Sequence, residues 1–241
     1  MTPAPERDRL LCIAGFGDDA SMFAPLLETS LTDVVDIQPI SLPGFGAPPL
    51  SGQKTTLAAL ADYVDKQARE RGARFILAHS VASIIASLAA QREGSPIELI
   101  VSLEGNLTAE DAYFSGTAAD FEEPEAFRQA FLARLYTMAS REPVIARYRQ
   151  IVTDADPLAL WELGCDAHAF SSACVPGDVL LSAAEVVYLY NPDNVPESSL
   201  EWLEANPIKA ITMPQASHWP SIDQPEALAT SITQALRGVY R

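Results

Sequence analysis

Histidine and cysteine are both scarce, with three of each in 241 residues. Cys12, Cys165 and Cys174 are scattered, odd in number and without a paired spacing, so neither a metal site nor a disulfide framework is expected. Histidine-dependent chemistry has only His79, His168 and His218 to draw on. Positive charge is also thin: 16 lysines and arginines stand against 32 aspartates and glutamates, a formal net charge of −16. That balance argues against nucleic acid and anionic membrane surfaces and leaves a small molecule as the expected partner. The most apolar stretch, residues 75–90, is interrupted by His79 and three serines and is too short to span a bilayer. The polar stretch Met1–Leu10 holds no apolar signal segment, which makes the cytoplasm the expected compartment. Internal repeats and low-complexity tracts are missing as well.

What is present suits one α/β domain with an insertion, since apolar residues make up 48% of the chain. Strand signals fall at residues 9–14, 34–40, 75–78, 98–103, 185–190 and 208–213. Helical spacing appears between them, as over residues 56–71, where Leu57, Leu60, Ala61, Val64 and Ala68 share a face. A final helix is expected over 225–236, and a short one over 21–28. Strands alternating with helices imply a mainly parallel sheet covered on both faces. From 107 to 178 the alternation stops. Helices are expected there over 124–139, 143–152 and 157–171, each opening with proline, where a missing amide costs nothing. The expected division is therefore a core of 1–106 and 179–241 with an all-helical insertion of 107–178.

Residues 75–90 carry the most chemistry. An apolar strand runs into Ala78-His79-Ser80-Val81-Ala82 and a helical pattern follows at once. That is the layout of a nucleophile elbow, a sharp strand-to-helix turn that holds a serine hydroxyl clear of the sheet. The strained turn needs small residues two before and two after the serine, and Ala78 and Ala82 meet that need where glycine is usual.

With the elbow, the Ala14-Gly15-Phe16-Gly17 turn after the first strand and the late His218, the chain resembles the α/β-hydrolase superfamily over essentially its whole length. The resemblance implies a catalytic triad with Ser80 as nucleophile and His218, in the loop between the last strand and last helix, as its base. It implies an oxyanion hole built from the amides of Val81 and Phe16. Two carboxylates are candidates for the acid that orients His218. Asp193 follows the strand where most members carry it, and Glu104 ends the preceding strand, as in haloalkane dehalogenases. A charged glutamate leaving a buried strand is expensive unless paired, which favours Glu104; Asp193, flanked by Pro192 and Asn194, also reads as a turn residue.

In this family a helical block at that point commonly forms a cap, and here it carries Phe127, Phe131, Leu135, Tyr136, Leu160, Trp161 and Phe170. Phe45 and Trp219, in loops beside the catalytic elements, are expected substrate-binding walls. Arg134, Arg141, Arg147 and Arg149 are expected on solvated helix faces, and His168 at the surface or in a structural role. The implied activity is a serine esterase or thioesterase for a small, largely apolar substrate, with no cofactor and no metal, in a monomer or homodimer. A type II thioesterase, a lyase or isomerase, and a non-hydrolytic binding protein remain open on the same scaffold.

Overall fold

A computed structural model describes residues 7–239. Residues 1–6 and 240–241, which include much of the polar amino-terminal stretch and the outer ends of the expected core segments, lie outside that range. The chain opens with β1 (Arg9–Ile13), β2 (Asp36–Ile40) and two very short strands, β3 (Leu42–Pro43) and β4 (Gly46–Ala47). Then come α1 (Leu57–Arg71), β5 (Phe75–His79), α2 (Ala82–Ala90) and β6 (Leu99–Leu103). Helices α3 (Pro124–Ala139), α4 (Pro143–Asp154), α5 (Pro157–Ala173) and α6 (Pro176–Leu181) follow. The chain returns through β7 (Glu185–Tyr190), α7 (Glu197–Ala205), β8 (Lys209–Thr212), α8 (Pro220–Asp223) and α9 (Pro225–Val239).

Six strands form one parallel sheet in the order β2-β1-β5-β6-β7-β8. Strands β5 and β6 are buried at every position, as a sheet covered on both faces requires, which is why they read as apolar runs rather than alternating ones. Parallel pairing brings the carboxyl ends of β1, β5, β6 and β7 to one edge. Ligand sites of open α/β sheets lie at that edge.

The helices follow from capping and periodicity. Thr56 accepts the Ala59 amide at 3.2 Å to start α1, and Gly72 ends it in the left-handed region at φ 61°. The segment Ala20–Glu28 winds as a 3₁₀ helix rather than an α-helix, with Pro25 inside it removing an amide donor.

Among the described residues no strand occurs between β6 and β7. That span holds two 3₁₀ segments, Ala109–Ala112 and Ser115–Asp120, ahead of α3–α6, and α6 runs across residue 178. Each of the four helices opens on proline, and Asp156 caps α5 by accepting the Ala159 amide at 2.8 Å. The insertion is tied to the rest of the chain by polar contacts. Glu162 and Asp166 of α5 accept the Thr55 and Leu57 amides at 2.7 and 2.8 Å, so the segment that leads into α1 and its first residue find acceptors on another element. The Asp156 amide donates to the Gly44 carbonyl at 2.9 Å.

Candidate active site

Strand β5 ends at His79, and Ser80 turns the chain with φ 54°, a left-handed conformation that a residue with a Cβ adopts only under constraint. The Ser80 amide donates to the Leu103 carbonyl at 2.9 Å, anchoring the bend on the end of β6. Ala78 and Ala82 are fully buried on either side. Gly15 passes so close that a Cβ there would lie 2.9 Å from both the Ser80 Cβ and the His79 Nδ1. The expected strand-to-helix elbow is formed.

Beside it, Gly15-Phe16-Gly17-Asp18 makes a type II turn: the Asp18 amide donates to the Gly15 carbonyl at 3.2 Å, and Gly17 has φ 71°. The amides of Phe16 and Val81 have no main-chain acceptor among the described residues. The Phe16 ring packs on Phe131 and Phe127 of α3, with centroids 5.7 and 6.2 Å apart.

His218 Nδ1 lies 3.3 Å from Oε2 of Glu104, whose side chain is almost wholly buried. Glu104 also holds a left-handed φ, 50°, at the end of β6. Its other oxygen accepts the Asn191 amide at 2.6 Å and the Asn194 side-chain amide at 3.3 Å. Donors therefore replace the water this carboxylate loses on burial. Asn191 and Asn194 further donate to the Ala216 carbonyl at 2.8 and 3.1 Å, bracing the segment just ahead of His218. Asp193 sits in the same turn but is exposed, and its amide donates to the Asn191 side-chain oxygen at 3.3 Å. Of the two carboxylates, it is Glu104 that meets the imidazole. Asp193 stays outside because Asn191 caps the short helix Pro192–Asn194 and turns it toward solvent.

His79, Ser80 and His218 line one small cavity. Aromatic walls come from Phe16, Tyr113, Phe114, Tyr148 and Trp219, and polar ones from Asp18, Asp111 and Ser115. Trp219 lines the cavity. Phe45 is a correction: its amide bonds back to the Leu42 carbonyl at 2.8 Å, the ring is buried in the core, and it is not a cavity wall. Tyr113, Phe114 and Tyr148 are walls the sequence reading misses, although Ile145, Tyr148 and Val152 share the buried face of α4. Tyr136 is 69% exposed, so it serves neither core nor cavity.

The charged groups around the cavity all have polar partners. Asp18 is buried, and Arg147 of α4 donates to both its oxygens at 2.5 and 2.6 Å. Burial pushes the Asp18 carboxyl above its ordinary range, and the Arg147 guanidinium opposes that shift. Arg147 is thus not on a solvated face. Arg134 reaches the Tyr113 carbonyl at 3.0 Å and lies over the Phe114 ring. Asp111 accepts the Leu107 and Thr108 amides at 2.8 and 2.9 Å, and burial raises its carboxyl as well. His168, on α5, is exposed. Among the described residues no group of three or more potential ligand side chains could hold a metal ion, and no helix is long and apolar enough to cross a membrane.

The fold has counterparts among known proteins. A structure of a thermophilic esterase from Thermogutta terrifontis, with malate bound, is 20% identical and superposes with a TM-score of 0.75, covering 97% of this chain and 91% of that one. An enol-lactonase from Burkholderia xenovorans LB400 is 18% identical, with a TM-score of 0.71 and coverage of 96% and 92%. A 1H-3-hydroxy-4-oxoquinoline 2,4-dioxygenase is 18% identical, with a TM-score of 0.76 and coverage of 97% and 93%. At such identities the likeness is one of fold. No curated protein matches the chain by sequence. The sequence profile described as "Alpha/beta hydrolase family" matches residues 10–231, nearly the whole described fold, and the chain belongs to that family.

Proposed function

We propose that the protein is a serine hydrolase that cleaves a carboxylic ester or thioester of a small, largely apolar substrate through an acyl-enzyme on Ser80. One observation carries the reading: a serine held at a strained elbow shares a cavity with an imidazole whose Nδ1 faces a buried carboxylate. Because the carboxylate accepts, Nδ1 carries the proton, and Nε2 is left with the lone pair that a base requires. Strain at Ser80 and Glu104 together is costly in a mere binding protein and is expected where catalytic groups are presented.

In the proposed sequence His218 takes the Ser80 proton as Oγ attacks the carbonyl carbon. The amides of Phe16 and Val81 stabilise the oxyanion, a kind of donor worth about 3–4 kcal/mol each in comparable sites. The protonated imidazole, oriented by Glu104, then gives its proton to the leaving alcohol or thiol. Water, deprotonated by His218, attacks the acyl-enzyme, and Ser80 leaves with the proton restored. Helices α3–α6 act as the cap. The cavity is small, and its aromatic walls favour a short, uncharged acyl group.

Burst kinetics with p-nitrophenyl esters of increasing acyl length test the reading. A pre-steady-state burst, turnover falling beyond short acyl chains and none from Ser80→Ala are expected. Binding of such esters without turnover in the wild type would replace hydrolysis with the non-hydrolytic reading.

A further inference from the structure

Helix α4 of the insertion reaches the oxyanion turn through two consecutive residues. Arg147 grips the Asp18 carboxylate, and Tyr148 donates its hydroxyl to the Phe16 carbonyl at 2.5 Å. Tyr148 is buried, and burial raises its phenol well above the ordinary range, so it remains protonated and remains a donor. The same ring packs on Trp219, the neighbour of His218, with centroids 4.9 Å apart. One side chain therefore touches both the turn and the base loop.

From this geometry we infer that Tyr148 is a positioning residue that sets the oxyanion donor. The Phe16 carbonyl belongs to the central peptide of a type II turn and the donor amide to the peptide before it, so the two are joined through the backbone torsions of residue 16. A donor fixed on the carbonyl restrains the ψ of Phe16, and the Arg147–Asp18 pair holds the residue that closes the turn. With its carbonyl side held, residue 16 cannot twist as a whole, and its amide, on the peptide before, keeps its place as negative charge develops. The contact reaches the reaction only through the backbone. Its effect belongs to the transition state rather than to substrate binding. The inference rests on the hydrolase reading above.

The test is Tyr148→Phe, which keeps the ring against Trp219 and removes the donor. Rates are expressed per active site titrated with a fluorophosphonate, so a partly unfolded preparation does not mimic the result. The expected outcome is kcat lowered ten-fold or more with KM within two-fold of wild type. Affinity for a trifluoromethyl ketone, which forms a charged adduct, should fall by the same factor as kcat/KM, a correspondence that a purely structural role would not produce. Tyr148→Met fills the same space with a flexible apolar chain and serves if the phenylalanine variant does not fold; the same losses are expected. A kcat per titrated site within two-fold of wild type, or an unchanged ketone affinity, overturns the inference while leaving the hydrolase reading intact. A wild-type protein that neither labels nor turns over esters removes both.

Discussion

The imidazole of His79 donates through Nε2 to the main-chain carbonyl of His218 over 2.8 Å, so the residue before the elbow serine holds the backbone of the proposed base. Because a carbonyl only accepts, His79 carries its proton on Nε2, and its buried Nδ1 is left without a partner. His79→Phe keeps a ring in this space and deletes the tie. Misplacing the base should lower kcat roughly ten- to a hundred-fold. Loss of the bond should cost about 1–2 kcal/mol of stability. Steady-state kinetics beside thermal melts would show both, and full activity in the variant would remove His79 from the positioning scheme.

The same residue makes stability depend on pH. Burial, more than the nearby His218 and Arg147, pushes the His79 pKa well below the ordinary imidazole range, near 6.5 in an unfolded chain. The unfolded chain therefore binds a proton near pH 6.5 that the folded chain refuses, so stability falls as pH drops below that point. Above it both states are neutral, and this group contributes no slope. Melting temperature should decline from pH 7 to pH 5 in the wild type and decline less in His79→Phe. Parallel curves for the two proteins would contradict this assignment.

Glu104 and Asp193 should behave very differently. Glu104→Gln preserves shape but removes the charge that stabilises a protonated imidazole, and a loss of about 10²–10⁴ in kcat is expected from that exchange. Asp193→Asn alters an exposed turn and should leave turnover within about two-fold, as surface changes usually do. A large effect from Asp193 and a small one from Glu104 would reverse the assignment of the acid.

Gly15→Ala would drive a methyl group to 2.9 Å from both Ser80 Cβ and His79 Nδ1. Neither atom can retreat, since Ser80 is anchored on Leu103 and His79 on His218. Overpacking of this kind costs about 1–3 kcal/mol, and the displaced serine should lose most of its activity. Retained turnover with an unchanged melt would show the elbow to be more compliant than its contacts imply.

The strands were legible because parallel strands buried on both faces read as unbroken apolar runs, and the insertion because proline opens each of its longer helices. The small alanines around Ser80 expose the elbow without its usual glycines. Glu104 could be favoured because an unpaired buried charge is expensive, yet sequence alone left Asp193 open; capping by Asn191 decides where that side chain goes. The walls were harder. Phe45 and Tyr148 are both aromatic residues near the site in the chain's logic, but which one faces the cavity depends on how α4 docks. The ties between His79 and His218, and between Tyr148 and Phe16, join residues 139 and 132 positions apart, and no local spacing encodes them. Strands β3 and β4 and helices α6, α7 and α8 are short and escape periodicity for want of turns.

The most direct measurement is intact-mass and peptide analysis after exposure to a fluorophosphonate. One phosphonyl group should be found on the peptide carrying Ser80, absent from Ser80→Ala and slowed in His218→Ala. An unmodified wild-type protein, or a label that settles on another residue, would contradict the account at its centre.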